Sequence, residues 1–207
     1  LRLITSSSDA RYGKLEFRLN NSRTGSSAIA SNAVSMSTDF IGLQHGGLLW
    51  NVMLQRMTGS VSGSYTQDYR LHAALQEDDR ITTYSAVSMS VSGGLSRDTN
   101  YNANENFAGT GSLNATASAN LYVGLAYTGS MSEFRVWNTP LQVSKFKQHI
   151  LNKRSITGNS ITSSIYDTYY HFKLNENWAA DASSPKIVDS NPKNVKDYSI
   201  DLNTSLL

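Results

Sequence analysis

The chain has 207 residues, of which 39% are hydrophobic and only 16% are charged, against about 25% in an average globular protein. Its 18 basic and 16 acidic residues give a net charge of +2, without the basic excess of a nucleic-acid-binding protein. The absence of cysteine excludes disulfides, cysteine-ligated zinc and a thiol nucleophile, and no apolar run is long enough to predict membrane insertion.

Alternation of apolar and polar residues marks the first predicted strands. Apolar side chains recur with a period of two in residues 14–19 (KLEFRL), 34–40 (VSMSTDF) and 87–92 (VSMSVS). Because successive side chains of a strand point to opposite faces, each of these strands has one buried and one wet face, which is typical of antiparallel sheets. Further strands are predicted at residues 49–57, 69–75, 121–127, 132–137 and 169–174.

Segments rich in Gly, Ser and Asn separate these strands, as turns require. Loops are predicted at residues 6–12, 20–32, 59–65 and 93–120. The acidic segment 77–79 is predicted to be a turn, because three adjacent carboxylates on a strand would point to opposite faces.

One helix is predicted near residues 140–151. Thr139 is a suitable cap, Pro140 suits a first helical position, and the apolar residues that follow keep near-helical spacing. After Trp178 the chain becomes rich in Asp, Asn, Ser and Pro. We therefore predict a β-sandwich domain over residues 1–178 and an extended linker or arm over residues 179–207.

The segment 129–141 (GSMSEFRVWNTPL) has a glycine, an acidic residue, an apolar-Arg-apolar strand, an aromatic residue and Asn ahead of a Leu-led helix. It resembles the closing strand and following helix of laminin-G-like and pentraxin-like domains. Residues 121–125 (LYVGL) and 50–54 (WNVML) resemble two other strands of that family. The resemblance implies an all-β, antiparallel two-sheet jelly-roll sandwich of the concanavalin A/laminin-G type. The calcium ligands of the best-known members have no match by motif.

A second resemblance concerns residues 147–153 (KQHILNK), 170–178 (YHFKLNENW) and 197–199 (DYS). They are similar to segments of large structural proteins of tailed-phage virions, in which lectin-like domains are embedded. This implies a non-catalytic domain of a larger virion protein, oligomeric within an assembly. Its partners would be other virion or surface proteins and host-surface glycans. The alternative is a secreted, extracellular bacterial carbohydrate-binding or adhesion module, and a glycoside hydrolase is the least favoured.

The arrangement of the residues that could serve in catalysis argues against an enzyme. Glycosidases of this fold need carboxylates alternating along one strand, and no predicted strand carries them. The four histidines, His45, His72, His149 and His171, lack metal-ligand spacing and are predicted to lie on the surface. The tryptophans Trp50 and Trp137 lie within predicted strands and are predicted to be core residues.

The loop at residues 98–104 (DTNYNAN) carries the candidate ligand-binding residues. Asp98, Asn100 and Asn102 place oxygen ligands at every second position, as calcium loops do, but no acidic residue closes the loop. An Asn-rich turn is the favoured interpretation, and calcium stays open as the one cofactor considered. The same three side chains with the ring of Tyr101 are also suited to bind a sugar.

The segment 179–207 is predicted to cover an exposed edge strand of a neighbouring chain, since antiparallel sandwiches leave such edges open. Deleting it should weaken self-association as measured by light scattering. An unchanged oligomeric state would contradict this prediction.

Overall fold

The structure is a computed structural model that describes residues 1–18, 35–43, 47–61, 64–93, 129–160, 167–175, 186–191 and 197–199. In this part of the chain the strands are β1 (Arg2–Thr5), β2 (Gly13–Arg18), β3 (Ser35–Ser37), β4 (Leu49–Val61), β5 (Ser64–Glu77), β6 (Arg80–Gly93), β7 (Phe134–Trp137), β8 (Thr168–Phe172), β9 (Lys186–Val188) and β10 (Asp197–Ser199). Helix α1 is Val143–Leu151.

Every strand pair in the described residues is antiparallel, which confirms the predicted all-β, antiparallel architecture with one short helix. The chain forms two compact units, residues 1–119 (unit 1) and residues 120–207 (unit 2). No helix in the described ranges is both long and apolar enough to cross a membrane.

Unit 1 is built around a long meander with the strand order β4-β5-β6. Residues that stand opposite each other in antiparallel strands share a face, so Leu54, Leu71 and Val87 form one row across the sheet. Leu71 and Ala73 on the central strand have no exposed surface. On β5 the opposite face is also covered, since His72 and Ala74 are buried, whereas Val52 and Leu54 of the neighbouring β4 stay about 40% exposed.

A smaller sheet with the order β1-β2-β3 supplies the other side of this core. Leu15 of β2 and Met36 of β3 join Tyr69, Leu71 and Ala73 of β5 in one buried cluster. Each large side chain fully removed from water in this way contributes roughly 1.5–3 kcal/mol. Unit 1 thus has two sheets that share one core.

The β5–β6 hairpin turns through Asp78 and Asp79, as the acidic segment predicted. Both residues have positive φ, +46° and +59°, which is the backbone of a tight two-residue hairpin turn. The opposite hairpin is tighter than predicted. β4 runs to Val61 and β5 starts at Ser64, so most of the predicted loop 59–65 is strand.

Unit 2 holds α1 and two small ladders, β7-β8 and β9-β10. The helix begins at Val143 and not at residue 140, since Gln142 still has an extended backbone. The side chain of Asn159 binds the backbone just before the helix. Asn159 Oδ1 accepts the Gln142 N–H at 2.8 Å, and its Nδ2 donates to the Pro140 carbonyl at 3.0 Å. Asn152 caps the carboxyl end of the helix.

The segment predicted as an extended arm contains paired strands, β9 and β10, in its described parts. Asp189 Oδ1 accepts the backbone N–H of His171 at 3.0 Å and that of Asn191 at 2.9 Å. Asn191 Nδ2 donates to the carbonyls of Thr168 and Tyr169. Deleting residues 179–207 would therefore remove buried partners of β8, so the deletion alone cannot isolate self-association from folding. The boundary at residue 178 stays a prediction.

We expect Asp79→Gly to stabilise unit 1. Glycine adopts positive φ without the steric cost of a Cβ atom, so the gain is about 0.5–1 kcal/mol. Thermal denaturation followed by circular dichroism measures it. Asp39→Gly is the matched control, because exposed Asp39 has no positive φ and glycine there only adds unfolded-state entropy. Equal midpoint shifts for the two variants would contradict the assignment of strain to the turn.

Candidate functional site

An open groove of about 340 Å³ lies in unit 1. Its lining combines aromatic rings, aliphatic side chains and a few polar groups. The lining residues are Tyr12, Phe40, Ile41, Gly42, Leu48, Trp50, Leu75 and Thr83. The volume falls near the lower end of the range of about 300–1,000 Å³ that small-molecule sites occupy.

One wall of the groove is set by strand register. Trp50 of β4 stands opposite Leu75 of β5, which stands opposite Thr83 of β6. These three residues therefore share the face of the meander that also carries the core. The groove lies where that face continues beyond the buried cluster.

The other wall comes from chain segments at the ends of the small sheet. The backbone groups of Gly13 and Ile41 exchange two hydrogen bonds of 2.9 Å, one in each direction. This antiparallel bridge brings the segments that carry Tyr12 and Phe40 together, and both residues line the groove. Their side chains stay 40% and 48% exposed, so both rings present part of their surface to solvent at the groove.

Trp50 is the most firmly held ring of the groove. Its Nε1–H donates to the Gly42 carbonyl at 3.2 Å, and its ring packs against the core cluster while remaining half-buried. The prediction that Trp50 is a core residue is thus confirmed by its packing against the core cluster. The prediction did not include the part of the ring that stays exposed to solvent. A ring fixed on a strand and by a hydrogen bond loses little further freedom when a ligand binds.

A charged group lies beside Phe40, one of the rings that line the groove. The Lys14 ammonium of β2 is 5.4 Å from the centroid of the Phe40 ring, in a cation–π arrangement.

A second polar arrangement crosses the meander on the face away from the core. His72 Nε2 bonds Gln55 Oε1 at 2.9 Å, and His72 Nδ1 bonds the Tyr84 hydroxyl at 2.7 Å. Because Gln55 Oε1 can only accept, Nε2 carries the proton of the neutral His72 ring, and Nδ1 accepts from the Tyr84 hydroxyl. Burial raises the pKa of Tyr84. The arrangement ties three strands together and holds the tyrosine as a hydrogen-bond donor.

In unit 2, a carboxylate and two basic side chains form a compact cluster at the start of β7. Glu133 Oε2 accepts hydrogen bonds of 2.7 Å from both His171 Nε2 and an Arg135 NH2 group. Burial acts to raise the pKa of Glu133, but these two bonds outweigh it and the net pKa is lowered. Glu133 also has a positive φ of +57°, a conformation that residues other than glycine rarely adopt.

Arg135 extends this cluster to the end of α1. Its side chain is 9% exposed, and it donates to the carbonyl of Ser155 at 2.7 Å and to the carbonyl of Lys153. It also bonds His149 Nδ1 at 3.3 Å. A guanidinium can only donate, so this nitrogen is unprotonated, and His149 Nε2–H donates to the Thr157 carbonyl at 2.7 Å. Burial lowers the pKa of His149, and the charges of Arg135, Lys145 and His171 lower it further.

The prediction that the histidines lie on the surface is wrong for three of them. His72, His149 and His171 are all buried, because partners distant in sequence satisfy their ring nitrogens. His45 lies outside the described residues, as do the candidate ligands Asp98, Asn100, Tyr101 and Asn102. Sugar or calcium binding by that loop stays a prediction. Within the described ranges, no group of three or more His, Asp or Glu side chains is arranged to hold a metal.

The groove itself was not predicted from the sequence. Its residues come from segments far apart in the chain, and only tertiary contacts bring them together. The sequence feature that could have indicated the groove is the position of Tyr12 and Phe40 at the ends of predicted strands, where a large aromatic ring is not necessarily buried in the core.

The chain matches no protein-family model, and no curated protein or solved structure is significantly similar to it.

Acid should destabilise unit 2 through His149. Its pKa is lowered on folding, so the unfolded state binds more protons and stability falls as the pH drops below about 6.5 toward the folded pKa. Urea denaturation at pH 7 and pH 5 measures this loss. His149→Gln keeps one donor and one acceptor without titrating, so its stability should change less over the same interval. An equal loss in the variant would contradict the role of His149.

Proposed function

We propose that this chain is a non-catalytic, lectin-like domain of a larger virion structural protein. It serves particle assembly or adhesion to host-surface glycans. The observation that carries the proposal is the groove, which is lined by the exposed rings of Tyr12 and Phe40 and by Trp50 of the antiparallel meander. A pyranose ring has an apolar C–H face and a polar rim. Aromatic side chains with nearby hydroxyl and carbonyl groups complement both.

We also propose that the two sheets belong to a jelly-roll sandwich of the concanavalin A/laminin-G type. The two sheets of unit 1 pack on one core, as a sandwich requires. The resemblance of residues 129–141 to the closing strand and helix of that family is supported by β7 followed by α1. The position of the chain in a virion rests on the sequence resemblance alone.

Binding is the chemistry that the groove residues supply. Glycoside hydrolysis needs two carboxyl groups that flank the scissile bond. The eight residues that line the groove contribute phenol, indole, phenyl, aliphatic and hydroxyl groups and no carboxyl group. A bound sugar would be held by stacking and hydrogen bonds and released unchanged.

A glycan array on the full chain, followed by calorimetry of any sugar that binds, tests the proposal. Phe40→Ala should weaken binding at least about tenfold, because truncating an exposed aromatic anchor removes its stacking surface. Leu151→Ala is the matched control, since Leu151 is 49% exposed and lies in unit 2.

Running the array with calcium and again with a chelator separates the groove from the loop 98–104. Binding that is lost with chelator and unaffected by Phe40→Ala would place the sugar at that loop. Absence of binding under both conditions would remove the adhesion role and leave assembly as the proposed function.

A further inference from the structure

The outer strand of the meander presents an open edge. In the order β4-β5-β6, β4 pairs with β5 on one side, and no described strand lies on its other side. The pairing runs from Leu49 to Val61 without a register shift, so the outward backbone groups of alternate residues form a long, regular row. Such a row of N–H and carbonyl groups is a template for a strand of another chain.

The sequence of β4 lacks the features that usually protect an edge. Proteins blunt such strands with charged side chains, proline or a bulge. Over Leu49–Val61 the only charged residue is Arg56, and proline is absent. On the face that carries the core, Val52 and Leu54 remain 41% and 40% exposed, so apolar surface accompanies the open backbone. This edge therefore has the properties of a contact surface.

We propose that β4 pairs antiparallel with β4 of a second copy of this chain, about a two-fold axis at Met53. The two three-stranded meanders then join into one continuous sheet, of a size that is common in open sheets. A two-fold interface uses the same patch on both copies, so the strand must be complementary to itself. The inference concerns the edge of the sheet and is independent of what the groove binds.

The register about Met53 makes the core-side face of β4 complementary to itself. Val52 of one copy faces Leu54 of the other, twice by symmetry, so the exposed apolar side chains cover each other. Arg56 of one copy faces Trp50 of the other, which places a cation beside an aromatic ring. No like charges are opposed along the strand, because Arg56 is its only charged residue.

Polar side chains match on the other face of the sheet in the same register. Asn51 of one copy faces Gln55 of the other, which brings two amides together. The Nδ2 group of Asn51 is buried and has no hydrogen-bond partner within the described part of the chain. A second amide offers the acceptor carbonyl that this donor lacks. An axis one residue away in either direction would place Met53 opposite an amide and lose this match.

Single-cysteine variants of the full chain test this pairing, because the chain contains no cysteine of its own. Residues that face each other across antiparallel strands have Cα atoms about 4.5–5.5 Å apart, within the span of a disulfide. We expect Met53→Cys to give a covalent dimer under mild oxidation, as measured by non-reducing electrophoresis. Met57→Cys is the matched control on the same strand, because its two copies would lie about 25 Å apart.

Analytical ultracentrifugation over a range of concentrations supplies the second measurement. The wild-type chain should form a dimer, and Leu54→Lys should raise its dissociation constant at least about tenfold. The reason is that the substitution sets a charge against an apolar side chain at two symmetric places. Leu151→Lys is the matched control, since Leu151 is 49% exposed and lies in unit 2. Circular dichroism confirms that each variant is folded.

A wild-type chain that stays monomeric up to its solubility limit would overturn the inference. Equal cross-linking of the two cysteine variants would overturn it as well, since random collision would account for both. A dimer that does not cross-link through Met53→Cys, or that forms equally well in Leu54→Lys, would place the interface elsewhere. Preferential cross-linking of Met53→Cys together with a weakened Leu54→Lys dimer would support the proposed strand pairing.

Discussion

The pairing of side chains across antiparallel strands is the constraint on which both units depend. Opposite residues share one face, so a register that buries one residue also fixes the position of its neighbours. In unit 1, the face that buries Leu71 carries Trp50 and Thr83 to the groove. In unit 2, the register that pairs Phe134 with Phe172 also pairs Arg135 with His171. The two phenylalanine rings stack with a centroid distance of 6.2 Å.

The groove forms at the place where the buried core of unit 1 ends. Where the two sheets of unit 1 no longer cover each other, aromatic residues that would otherwise be buried keep part of their surface in water. Trp50 is anchored by packing and by its hydrogen bond to Gly42, whereas Phe40 is held beside Lys14. A surface of this kind is costly to leave in water, and such patches on proteins commonly bind ligands or partners.

The buried guanidinium of Arg135 is the second organising feature. A charge taken out of water is stable only when acceptors surround it. Glu133 and the carbonyls of Lys153 and Ser155 provide them, which ties the start of β7 to the segment after α1. His149 completes the cluster only in its neutral form, so the same contacts that stabilise unit 2 make it sensitive to acid.

Local pattern in the sequence was enough to predict most of the described strands, the acidic hairpin turn and the helix. Period-two alternation and turn residues act over a few neighbouring positions. The same reasoning could not predict how far β4 and β5 extend, or that part of the predicted arm forms paired strands. It also placed His72 and His171 on the surface, because the partners that cover these side chains are distant in sequence.

The sequence by itself thus determined the all-β, antiparallel class, since alternation of apolar and polar residues with a period of two is typical of antiparallel strands. Only the tertiary structure decided the candidate site. Tyr12, Phe40, Trp50 and Thr83 lie on separate segments, and the Gly13–Ile41 bridge together with the register of the meander brings them to one groove. The physical reason is that alternation specifies which side of a strand is buried. Long-range contacts specify which strands pack together and where one sheet stops covering the other.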